Sequence, residues 1–229
     1  MEILRNNIIT RELYVMLSGI FPKEIIDQII FFANLHSSQK KSLNIKFNGQ
    51  IKKGKNMYRP DDIISNGAIF VLNDFIDALI SKMIRYSVVL TEHMRQCTIT
   101  SRTIQNVVKI LTHGEYKKNL VLNGCYMVTR YNACICENGR LEKGKRISDV
   151  IGTFIGPAKV EEIMRYNINK NRSRISKGAI IYMTSVIDYI TKDIIKSSKN
   201  IAGIICTENV IDAVKCNHDL KSLFHELYI

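Results

Sequence analysis

Ser65-Asn66-Gly67-Ala68-Ile69 returns as Ser176-Lys177-Gly178-Ala179-Ile180, 111 residues further along the chain. The same offset carries Leu72 onto Met183, Ile76-Asp77 onto Ile187-Asp188 and Ile84 onto Ile195. A repeat at fixed spacing sets the unit of the fold and has to be read first. Each copy opens with a serine whose hydroxyl suits a helix N-cap, then continues into apolar residues at steps of three and four. In the first copy these fall at 68, 72, 75, 79 and 83, with 69, 76, 80 and 84 alongside. In the second they are Ala179, Met183, Val186, Ile190 and Ile194. A stripe this wide is too apolar for a lone surface helix, so each long helix needs a partner.

Working outward, each long helix is followed by a connector and a shorter helix: Ile104, Val107 and Val108 with Lys109 in the first copy, Val210, Ala213 and Val214 with Lys215 in the second. The second connector is five residues shorter and ends in Ile204-Ile205, where the first has Thr98-Ile99-Thr100. Loops vary in length more readily than cores do. A short polar-rich segment precedes each long helix, at 46–58 and 157–166. The unit therefore reads short helix, loop, long helix, loop, short helix. Gly49 and Gly54 make the first of these short helices a poor one, at about 1 kcal/mol each relative to alanine.

The whole chain has 229 residues, enough for two small domains. Its 46% hydrophobic and 24% charged content is that of a folded protein rather than a disordered one. A net charge of +12 suits a polyanionic partner without naming it. Arg5, Asn6 and Asn7 interrupt the N-terminus, so no secretory signal is expected there, and no apolar run approaches the roughly 20 residues of a membrane span. A soluble protein made in the cytosol is expected. Cys97, Cys125, Cys134, Cys136, Cys206 and Cys216 are scattered and read as reduced thiols. Cys134 and Cys136 lack the spacer and the second pair of a zinc site, so no metal or cofactor is expected. No histidine pairs with a nucleophile or carboxylate at a motif spacing, and no phosphate-cradling glycine loop occurs, so an enzyme is not expected.

The residues also carry a family resemblance. From Ile64 to Tyr131 the chain resembles histone 2B without a gap, through Asn73-x-Phe75, Thr98-Ile99-Thr100-Ser101-Arg102-x-Ile104-Gln105, Gly114-Glu115 and Val128-Thr129-Arg130-Tyr131. From Gly156 to Phe224 it resembles histone 2A, through Val160, Arg165, Gly178-Ala179, Tyr182, Val186, Tyr189, Thr191, Asn200, Ala213 and Leu220. Together the two stretches span about 60% of the chain. Fused doublets in this order resemble those of giant DNA viruses such as the marseilleviruses. The resemblance implies an all-α protein of two histone folds, paired as an intramolecular handshake and preceded by an N-terminal helical extension. The expected division is an extension at 1–36, a histone 2B-like fold at 37–133, a linker at 134–153 and a histone 2A-like fold at 154–229. Gly139, Gly144 and Gly152 suggest that the linker is flexible. The implied function is DNA packaging without sequence specificity, in nucleosome-like particles formed with a histone 4 and histone 3 doublet. The implied location is the virion and the site of viral DNA replication or packaging, or the host nucleus. A histone-fold interaction module of a transcription-type complex is the alternative.

Wrapping DNA requires phosphate contacts repeated along a curved face, from basic side chains and helix N-termini. Carried over from the family, the DNA-facing candidates are Ser65, Arg95 and Thr98 in the first fold and Lys159, Arg165, Arg172, Arg174 and Lys177 in the second. Arg174 would enter a minor groove. Lys40, Lys41, Lys46, Lys52, Lys53 and Lys55 form a further basic stretch. The family's acidic patch is eroded: Glu115, Asp188, Asp193 and Asp219 keep their sign, but Lys196, Asn217, His218 and Asn123 stand where acids are expected. The second connector lacks its basic run, which puts a DNA contact near Ile204 in doubt. The chain ends at Ile229, without the docking extension of histone 2A, which would weaken contact with a histone 3 and 4 pair. Leu13, Val15, Met16 and Leu17, then Pro22 followed by Ile25, Ile26, Ile29, Ile30, Phe32 and Ala33, read as two short amphipathic helices that pack on the body or adapt it to another protein.

Overall fold

The computed structural model describes residues 45–138, 145–168, 174–200 and 202–228, and within them the protein is all-α apart from four two-residue strands. The predicted N-terminal helices, Lys40, Lys41 and Arg172 lie outside the described residues. The first repeat runs α1 (Asn48–Tyr58), β1 (Ile63–Ile64), α2 (Asn66–His93), β2 (Thr98–Ile99), α3 (Ser101–Leu111) and α4 (Gly114–Asn138). The second runs α5 (Ile147–Ile151), α6 (Pro157–Asn167), β3 (Arg174–Ile175), α7 (Lys177–Ser197), β4 (Ile204–Ile205), α8 (Thr207–Cys216) and α9 (His218–Tyr228).

Both serines cap their helices as the repeat predicts. Ser65 Oγ accepts from the Ala68 amide at 3.1 Å and Ser176 Oγ from the Ala179 amide at 3.2 Å. The apolar positions predicted for α2 and α7, including Leu72, Phe75, Leu79, Met183, Val186 and Ile190, are buried in one cluster that spans both repeats.

Among the described residues the strands pair between repeats, never within one. β1 runs parallel to β4, with Ile63 opposite Ile204, and β2 runs parallel to β3, with Thr98 opposite Arg174. At each pairing two helix N-termini meet. A Cβ built on Gly67 near the start of α2 would lie 2.5 Å from Thr207 Oγ1 at the start of α8. One built on Gly178 of α7 would lie 3.6 Å from Ser101 Oγ at the start of α3.

Two features go beyond the local sequence pattern. The poor helix α1 forms despite its glycines, because Phe47 and Ile51 are fully buried and the Phe154 ring occupies the space a side chain at Gly54 would need, 2.6 Å from an ideal Cβ. Tertiary packing outweighs intrinsic propensity here. The described parts of the connector are largely helical, while Gly139 and Gly144 lie outside the described residues. Helix α4 continues to Asn138, and α5 packs on α4 with Val150 and Ile151 buried before Gly152 ends it at φ 74°.

Candidate nucleic-acid interface

The β2·β3 junction gathers the strongest positive charge of the predicted set. The Arg174 amide donates to the Cys97 carbonyl at 2.8 Å and the Ser176 amide to the Ile99 carbonyl at 2.9 Å, which fixes the backbone beneath both side chains. Arg174 is exposed on β3. Arg95 is exposed just after α2, with the left-handed φ of 52° that turns the chain into β2. Thr98 is half-buried in β2 itself. Beyond the strand, Thr100 caps α3 through a reciprocal exchange with Thr103, and Arg102 projects from the first turn into solvent. Arg102 is the residue that sequence reasoning missed. The sequence carries its signal: a basic residue in the first turn of a capped helix, next to a strand that holds a candidate.

Lys177 and Arg165 join this end through a shared acid. Arg165 holds Glu161 at 2.6 Å and Lys177 approaches it at 3.5 Å. Burial alone would raise the Glu161 carboxyl, but the Arg165 hydrogen bond and the Lys177 and Arg165 charges hold it below the usual carboxylate value. The two cations are therefore partly neutralised before any ligand arrives.

The remaining candidates are not part of this cluster. Ser65 sits at the opposite junction, where its hydroxyl is used as the cap of α2. Lys159 turns inward to the first repeat, donating to the Lys46 carbonyl with its ammonium 5.5 Å from the centre of the Phe47 ring. It ties α6 to the start of α1, so its role here is a seam between repeats.

The acidic set does not form one patch. Asp188 is buried: its Oδ1 accepts from the Phe154 amide at 2.8 Å and the Ile155 amide at 2.9 Å, binding the segment that enters α6 onto the side of α7. Burial pushes its pKa up to about 7, against the two backbone hydrogen bonds and the charges of Lys192 and Lys53. Asp193 is raised by burial and lies beside the Tyr116 hydroxyl, with Asn217 Nδ2 at 3.4 Å and Asp219 nearby. Glu115 is exposed and paired with Lys118 at 3.0 Å. What remains at the surface is a small acidic spot around Asp193 and Asp219.

Among the described residues, no cluster of three or more His, Cys, Asp or Glu side chains could hold a metal, and no helix is long and apolar enough to cross a membrane. No family model matches the chain.

Proposed function

We propose that this chain is a non-enzymatic DNA-packaging protein, a histone 2B-like fold followed by a histone 2A-like fold, paired as a handshake within one polypeptide. One observation carries the reading: each strand pairing joins one repeat to the other and brings two helix N-termini together, and at β2·β3 the exposed Arg95, Arg102 and Arg174 lie in or within three residues of the paired strands. Helix N-termini present free amides and a partial positive charge, so phosphate is the ligand they suit. No base-reading element is needed; the histone octamer wraps DNA by such contacts. A histone 4 and histone 3 doublet is the natural partner for completing a particle.

Reconstitution on DNA with and without such a doublet, followed by nuclease digestion, tests the reading. Discrete protected fragments are expected, insensitive to sequence and lost as salt rises. Arg174→Ala should weaken protection more than Lys40→Ala, although each removes one charge, because the backbone of Arg174 is pinned by β2. Equal protection by the two variants at matched salt would make Arg174 an ordinary surface charge.

A second reading, an interaction module in a transcription-type complex, is favoured by Leu122 and Tyr126. They lie one turn apart on α4 and are 67% and 60% exposed. Weak, salt-insensitive association with DNA would favour it.

A further inference from the structure

We infer that the protein grips the duplex at one of its two strand junctions, β2·β3, and leaves the other, β1·β4, off the DNA. This rests on the DNA-binding reading above. It goes further because the two junctions share a backbone plan, and the plan alone would predict two equal phosphate sites.

Side-chain chemistry separates them. Residues 94–102 and 174–177 contain Arg95, Arg102, Arg174 and Lys177 and no acid, although Glu161 of α6 pairs with Lys177 at 3.5 Å. Neither α3 nor α7 has an acidic residue in its first turn, so both N-terminal dipoles there are uncompensated. Residues 59–64 and 199–208 contain Arg59 and Lys199 against Asp61, Asp62 and Glu208. Arg59 is already used, paired with Asp62 and donating to the Ser198 carbonyl. Glu208 stands in the first turn of α8, where it answers the helix dipole that a phosphate would otherwise meet. Asp61 and Glu208 are both exposed. The paired Ile63 and Ile204, 65% and 43% exposed, fill the face between strands with groups that cannot bond to phosphate. A phosphate placed there would meet two carboxylates and one free lysine, and repulsion at short range would oppose the remaining amides.

The salt dependence of binding to a duplex of random sequence decides the matter, because the slope of log K against log salt counts the phosphates neutralised. Arg95→Ala, Arg102→Ala and Arg174→Ala should each lower that slope by about 1. Lys199→Ala should leave it unchanged. Ile204→Arg should raise it by about 1, since it replaces an apolar side chain between the strands by a cation beside two helix N-termini. All five positions are exposed, and an unchanged melting temperature checks that each variant folds. A slope lowered by Lys199→Ala as much as by the arginine variants shows both junctions bound and overturns the inference. A parent chain that binds no duplex at low salt overturns the DNA reading itself, which is a different result.

Discussion

The two long helices descend from one sequence pattern yet live in different surroundings. Helix α7 is wrapped by α4, α3, α6 and α1, and its polar Thr184, Ser185 and Asp188 are buried along with its apolar face. Helix α2 is longer, at 28 residues against 21, and among the described residues one flank is left open, with Phe70 and Asp74 exposed one turn apart. The difference comes from the covering helices. The first repeat ends in the 25-residue α4, which lies along α7, while the second ends in the 11-residue α9 on α2. A repeated hydrophobic pattern specifies that a helix needs covering, whereas the length of its neighbours decides how completely it is covered.

The strongest way to break this comparison is to strike the core both helices share. Leu79→Asp would bury an unpaired carboxylate where the side chain is 2% exposed, at a cost of several kcal/mol. Both repeats should unfold together by circular dichroism. Residues 37–133 melting on their own as a cooperative unit would contradict a shared core.

A smaller effect probes how tightly α4 covers α7. Alanine is intrinsically favoured over glycine in a helix by about 1 kcal/mol, but a Cβ at Gly124 would fall 2.3 Å from the buried Tyr182 ring. Gly124→Ala should therefore destabilise, by roughly 1–3 kcal/mol as overpacking does. A denaturant midpoint that rises instead would mean that α4 stands further off.

The third test concerns the buried carboxyl of α7. Its pKa stands at about 7 in the folded chain against an ordinary 3.8, so the protonated form is favoured by folding. That contribution is complete below about pH 4, falls as pH rises, and is gone above about pH 7. Asp188→Asn keeps an oxygen for the Phe154 and Ile155 amides and removes the charge. The stability of the parent relative to this variant should drop between pH 4 and 7, by up to about 1.4 kcal/mol per unit. A difference that stays flat across the window would show that Asp188 is solvated. At the open flank of α2, Phe70→Ser should change stability by no more than about 0.5 kcal/mol. A larger loss would show that this flank is covered.

Much of the skeleton was legible in the sequence. The long helices begin at their serines, the short helices fall within a residue or two of 46–58 and 157–166, and the pattern of apolar steps names the core. These features are local, or repeat with a period that a single helix imposes. The misreadings all depend on what returns from far along the chain. Gly54 looked like a defect until Phe154, a hundred residues later, filled its space. Asp188 reads in the sequence as part of an acidic patch, since nothing in its own helix reveals that two amides of the preceding segment close over it. Lys159 and Arg174 are both basic residues near loops, and only the pairing of strands between repeats places one in a seam and the other in the open.

That pairing also imposes an order in time. Ile63 cannot meet Ile204 until 141 further residues have been made, which at roughly 5–20 residues per second is about 7–28 s on the ribosome. Within that interval α2 ends at His93 and α7 begins only at Lys177, 84 residues later, so for a time α2 has no α7 to pack against. Thr98 and Arg174 are nearer in sequence, so the chain that β2·β3 needs is made first and the loop it closes is the smaller one.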